Sequence, residues 1–360
     1  MEKTKSKWAN DAFMFDNLRF LGIFSICFAH AFWDHFFLPP GDTSVLGWAV
    51  NAICIYGMPL FAFASGYGQK HLPGTGFFPK LASMYFAANI LSLPLYFLLS
   101  AQQNSKIWPS QVAPGPAGGI TVYIWYFLAL LLWRVITPYV LLLRRPLITS
   151  TLFALLVYPD WEVIVYADDR APIFELIRPW LKPFIFALRF YPFYLLGAFS
   201  TREYVFTLRH SSFRFLLIPV CAISLYIGAK DIIRYHDTYD PYRINAIAYL
   251  MMATSCLALM IAFIPGKMIP WITTIGQKSL TIYVFSLLII RGLMESFEYL
   301  GWRPHFGFVR QSVQLVLYCG LTYLICFLSS RKPLLTLFNN LSGTIETALF
   351  TPQPQPTKKA

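Results

Sequence analysis

Long apolar runs separated by short polar connectors make up most of this chain. Each run is about twenty residues, the length an α-helix needs to cross a hydrocarbon core of roughly 30 Å. Ten can be marked, at 18–38, 44–67, 80–99, 120–142, 146–160, 184–200, 213–229, 243–264, 271–291 and 309–329. The fourth, from Tyr123 through Leu142, is among the clearest; the fifth is short and ends in Tyr158-Pro159-Asp160-Trp161. The pattern predicts an all-α, polytopic integral membrane protein with about ten transmembrane helices.

Residues 1–17 then form a cytoplasmic N-terminus, 18–330 one transmembrane domain, and 331–360 a cytoplasmic tail whose Pro/Gln-rich end is disordered. The first run is too long for a signal-peptide core and lacks a small-residue cleavage signature, so it reads as a retained span. Connector 100–119 is rich in Pro, Gly, Gln and Ser and reads as an irregular loop. Connector 161–183 carries four acids and three prolines, the pattern of a segment lying along the surface.

Charge sets the orientation. Connectors and helix ends on the side of the termini hold sixteen Lys/Arg against five acids, and the opposite side about ten against twelve. The excess of cations places both termini in the cytoplasm. Charged residues are only 13% of the chain while 57% is hydrophobic and 18% aromatic, which excludes an ordinary soluble domain. The net charge of +12 is scattered over connectors rather than gathered in one patch, so it does not describe a nucleic-acid binder. All six cysteines fall in apolar runs without a C-x-x-C pair and read as packing residues.

Two ionisable groups interrupt the first run. Arg19 stands at its mouth and His30 eleven residues further on, about three helical turns, so both point along one face. Such groups cost roughly 2.5–3.5 kcal/mol each in hydrocarbon, which marks them as functional candidates. His30 is either hydrogen-bonded to a neighbouring helix or a general base that takes a proton from a hydroxyl. Asp34, four residues later, can orient that imidazole or simply end the helix in a polar group. Asp16, three residues before Arg19, offers a local ion pair. Arg134 and Arg189 lie near the ends of their runs, where they either snorkel to the boundary or line a cavity. No phosphate loop, zinc-ligand pattern or nucleophile elbow occurs, and no metal is expected.

Several short stretches carry a resemblance when taken in order. They are Asp16-Asn17-Leu18-Arg19 with His30, Phe63-Ala64-Ser65-Gly66-Tyr67, Trp125-Tyr126-Phe127-Leu128, Phe193-Tyr194-Leu195-Leu196-Gly197, and Gly276 through Tyr283. Together they resemble membrane-bound acyltransferase family 3, which acylates cell-envelope and exported glycans. Two positions depart from its pattern: Ser286 stands where many members have a late histidine, and Tyr123-Ile124 where another often precedes the W-F/Y-L stretch.

The resemblance implies transfer of an acetyl or other short acyl group from cytosolic acetyl-CoA to a sugar hydroxyl of a cell-envelope or exported polysaccharide. It implies that His30 activates the acceptor or receives the acyl group, and that Arg19 orients the donor or its carbonyl. The cytoplasmic cations Lys70, Lys80, Arg144, Arg145 and Lys278 can attract the phosphates of coenzyme A. Trp125, Tyr126 and Ser286 are the candidates for contact with the acceptor. The expected setting is a bacterial inner membrane, with membrane lipid, a lipid-linked glycan and a polysaccharide-synthesis complex as partners and no nucleic acid. A transporter or flippase lined by the same Arg and His, and a catalytically silent glycan-binding relative, are the rival readings.

Overall fold

The computed structural model describes residues 13–33, 45–69, 77–101, 121–166, 172–235, 246–299 and 311–350. The connectors between these stretches, both chain ends, Asp34 and Lys70 lie outside the described residues.

Apolar runs of this length satisfy their backbone groups internally only as helices, and among the described residues the fold is helical with no strand. In chain order the helices are α1 (Met14–Phe28), α2 (Val45–Gln69), α3 (Phe77–Ala101), α4 (Thr121–Val140), α5 (Pro146–Tyr166), α6 (Pro172–Phe199), α7 (Arg202–His210), α8 (Leu217–Tyr235), α9 (Ala246–Phe263), α10 (Pro270–Gln277), α11 (Ser279–Tyr299), α12 (Gln311–Ser329) and α13 (Lys332–Leu349). A π-helical turn, Ala29–Trp33, extends α1, and a 3₁₀ turn, Ser212–Leu216, joins α7 to α8. A helix answers each of the ten predicted runs. Helix α6 begins twelve residues before its run, at Pro172, because proline is accommodated in the first turn of a helix.

Among the described residues no single helix is both long and apolar enough to cross a membrane. Three bent pairs are: Phe184–Phe199 with Arg202–His210 at 92°, Pro270–Gln277 with Ser279–Ile290 at 79°, and Leu315–Ser329 with Lys332–Leu349 at 52°. The breaks are chemical. Thr201 caps α7 by accepting a hydrogen bond from the Tyr204 amide at 3.2 Å, Lys278 separates α10 from α11, and a proline opens both α10 and α13.

Helix α1 is the axis of the bundle. Its buried positions run around the whole circumference, from Met14, Asn17 and Leu18 to Ile26, Cys27 and Phe28, and it packs on α2, α10, α11 and α12. A helix apolar all round belongs in the interior. Helix α2 lies between α1 and α6, and α6 continues the layer to α4 and α5. Large rings fill the spaces, with Trp133, Tyr126, Tyr194 and Tyr283 fully buried. The Trp133 indole donates to the Ala187 carbonyl at 2.8 Å, which ties α4 to α6.

Backbone contact sets the α2–α6 crossing. A methyl group at Gly66 would collide with the Tyr194 carbonyl, and one at Gly197 with the Phe63 carbonyl. The two glycines face each other's helix, so the backbones approach as closely as small-residue helix pairs allow. Helix α13 was not among the predicted spans. It packs along α3 and buries Phe338 and Ser342, leaving a largely polar outer face.

Gly66→Ala or Gly197→Ala is expected to cost at least about 1–3 kcal/mol, the range for overpacking a tight interior. Gly320→Ala, where an added methyl meets nothing within 4 Å, is expected to be near neutral. Thermal unfolding of the three variants in detergent measures the contrast.

Candidate functional site

The quartet that opens α1 divides its work by side chain. Leu18 enters the core. Asn17 is fully buried and donates through Nδ2 to the carbonyls of Pro265 at 2.7 Å and Lys267 at 3.1 Å. Its Oδ1 accepts from the Thr273 hydroxyl at 2.7 Å, and that hydroxyl also accepts the Ile269 amide at 2.9 Å. Asp16 and Arg19 form an ion pair of 3.2 Å between Oδ1 and Nη1. The other carboxylate oxygen of Asp16 accepts from Gln277 Nε2 at 3.0 Å. The acid is held from both sides, by the arginine on its own helix and by the amide ending α10.

The other short stretches gather around this pair. A methyl at Gly276 would strike the Asp16 carbonyl, so α10 lies directly against the first turn of α1. A methyl at Gly68 would sit 3.2 Å from Arg19 Nη2, with no other atom close, so Gly68 leaves the guanidinium uncovered on that side. Phe15 stacks on Tyr67 with ring centres 3.7 Å apart. Ser65 Oγ lies 2.7 Å from the Tyr126 hydroxyl, which donates to the Phe61 carbonyl at 3.1 Å. The stretches at 63–68, 126, 194–197 and 276–277 thus meet at the end of the bundle where Arg19 lies.

His30 stands further along the same helix, half-buried, inside the π-helical turn. Ile23 and Ile26, which share the face running from Arg19 to His30, are 0% and 5% exposed, so this face looks into the bundle. At 1.5 Å per residue the two positions are separated by about 16 Å along the axis. The turn touches α2 and α11, and its neighbours Phe28 and Ala31 pack with Ile290, Tyr318 and Ile325. Single π turns within α-helices concentrate at functional sites. Ser286 is buried on α11, one turn before Ile289 and Ile290.

The remaining candidates divide. Tyr126 is fully buried and ties α4 to α2 through its hydroxyl. Trp125 is enclosed by the rings of Phe186, Phe190 and Tyr126. Lys278 donates to the Ser330 carbonyl at 3.1 Å, neutralising the C-terminal end of α12. Arg144 and Arg145 are exposed in the α4–α5 turn, and among the described residues no hydrogen bond or ion pair joins them to the Arg19 cluster. Asp34 and Lys70 fall outside the described residues. No group of three His, Cys, Asp or Glu side chains able to hold a metal occurs among the described residues.

Three residues of the site carried no role in the sequence reading: Asn17, Gln277 and Gly68. Asn17 and Gln277 lay inside stretches that had been quoted, as polar amides at helix ends, which was the available signal. Gly68 follows the Ser65-Gly66-Tyr67 stretch, where a second glycine two residues after the first marks a further close approach.

A family model for the acyltransferase domain matches residues 14–331, from the first turn of α1 to the end of α12. The chain belongs to acyltransferase family 3, a membrane-associated family. Helix α13 lies beyond the match. No curated protein and no solved structure matches the chain.

Asn17→Ala is expected to remove the bonds to the Pro265 and Lys267 carbonyls and to leave the buried Thr273 hydroxyl without its acceptor, at about 1–3 kcal/mol for the group left unsatisfied. The resulting drop in Tm should exceed that of Gln277→Ala, whose partner Asp16 keeps Arg19. Thermal unfolding of both variants checks the order.

Proposed function

We propose that this protein transfers a short acyl group, in the first instance acetyl, from acyl-coenzyme A at the cytoplasmic face to a hydroxyl of a cell-envelope or exported glycan. Both termini then lie in the cytoplasm, and the described helices form the ten spans of an inner-membrane protein, one of them bent where α10 meets α11. The observation that carries this reading is the gathering of the family stretches around Arg19, with His30 on the same inward face of α1.

In this reading the His30 imidazole takes the proton of the sugar hydroxyl as its oxygen attacks the thioester carbonyl. The C–S bond breaks, coenzyme A leaves as the thiolate, and the ester remains on the sugar. The axial distance of about 16 Å is longer than an arginine side chain, so Arg19 holds the donor's arm rather than the carbonyl under attack. Gly68 gives the donor its approach to the guanidinium. Asp16, pinned by Gln277, keeps the guanidinium from swinging away, and Asp34 orients the imidazole. Lys70, Arg144 and Arg145 draw the phosphates of coenzyme A toward this end. The acceptor, lipid-linked or growing within a synthesis complex, enters at the opposite end past Ser286.

His30→Ala is expected to lower transfer of labelled acetyl from acetyl-CoA to envelope glycan by about 10²–10⁴-fold at equal folded protein, the usual loss with a general base. Retained acetylation would remove His30 from the reaction. Gln277→Ala is expected to raise KM for acetyl-CoA several-fold with a smaller change in kcat, because it loosens Arg19 without touching His30. A KM equal to that of the parent protein would disconnect Gln277 from the donor.

A further inference from the structure

The inner end of α9 carries a feature with no part in the proposed transfer. An apolar groove of about 360 Å³ runs between α8 and α9, lined by Ile218, Leu259, Met260, Phe263, Ile264 and Pro265. Phe263, in its wall, meets the Phe215 ring edge-on at 5.8 Å. The Arg214 guanidinium lies over both rings, 4.9 Å from the centre of Phe215 and 5.5 Å from that of Phe263. Its Nη1 donates to the Arg209 carbonyl at 2.7 Å, and among the described residues no other guanidinium N–H of Arg214 donates to the protein. A cation held flat against the mouth of an apolar slot, with donors in hand, suits an anion that carries a hydrocarbon chain.

The surroundings point the same way. Arg209 is fixed beneath by donating to the carbonyls of Ile261 and Ile264 at 2.9 and 2.7 Å, which anchors this corner on α9. The two connectors that form it, 200–217 and 264–270, hold Arg202, Arg209, Arg214 and Lys267 against the single acid Glu203. Phe213, 75% exposed, with Phe215 and Leu216 beside it, forms the aromatic and apolar fringe found at a membrane boundary. Helix α7 turns 92° away from α6 and so lies across the bundle axis, as an interfacial helix does.

We propose that this groove seats an anionic phospholipid of the cytoplasmic leaflet, one acyl chain between α8 and α9 and the phosphate on Arg214, with Lys267 adding attraction. The inference rests on the membrane reading given above, and on no part of the acyl-transfer chemistry. Net-positive surfaces near the cytoplasmic leaflet attract anionic lipid in general. The groove adds what a diffuse surface lacks, a chain-binding slot registered with one guanidinium.

The test uses the full-length protein in nanodiscs of phosphatidylcholine alone or with about one third phosphatidylglycerol, a content at which a polybasic surface responds strongly. Tm is expected to be at least about 3 °C higher with phosphatidylglycerol. That increment is expected to vanish in Arg214→Gln and in Ile218→Trp, which fills the groove from its exposed side. It should persist in Arg202→Gln and in Arg214→Lys. Because the readout is a difference between lipids for the same variant, a general loss of stability cannot imitate it. No increment, or an increment equal in all variants, overturns the proposal, as does full reproduction by inorganic phosphate in phosphatidylcholine discs. Release of the protein from membranes without detergent would instead overturn the membrane reading itself.

Discussion

The carbonyl oxygens of Phe63 and Tyr194 face positions that only glycine can occupy, and the geometry of this end of the bundle follows from that. Small residues at a helix crossing let two backbones approach into direct contact, and contact of that kind fixes where the helices cross. Gly66 and Gly197 supply that approach between α2 and α6, and Gly276 repeats it between α10 and α1. Any side chain at these positions would push the helices apart by more than an ångström. Ser65 would leave Tyr126, and Gln277 would leave Asp16. The polar cluster around Arg19 is therefore a product of packing as much as of charge.

The division between small residues and charged ones also explains how a lone arginine is kept usable. Asp16 holds one nitrogen, Gln277 holds Asp16, and Gly68 leaves the other nitrogen open. A cation satisfied on every side would be inert, and one with no partner would be driven to the surface. Among the described residues the guanidinium is fixed by one acid and has N–H groups to spare.

Much of this was readable before any coordinates. Hydrophobic runs of spanning length gave the helices in order, and Arg19 with His30 stood out because ionisable groups are rare in such runs. What escaped followed from physics that sequence spacing does not carry. Asn17 has its acceptors on backbone carbonyls near residue 265, which no side-chain pattern announces. The π turn at Ala29–Trp33, which holds His30, has no proline or glycine to mark it. The bend after α10 splits the run at 271–291, whose composition alone reads as continuous. Helix α13 has its apolar residues at helical spacing, Leu334, Phe338, Leu341 and Ile345, but is too polar overall to register as a span. Lys278 stood out in the sequence only for its charge, and its bond to the Ser330 carbonyl at the end of α12 is a contact that no spacing announces.

The Asn17 contacts join positions 248 and 250 residues apart. A ribosome therefore makes α1 long before the carbonyls that lock it have been synthesised. Until α9 and α10 follow, the helix that bears Arg19 and His30 has no permanent neighbour for its buried amide. A helix made early is thus among the last to be fastened, and a nascent chain halted before α9 holds Arg19 and His30 on a helix without a fixed station.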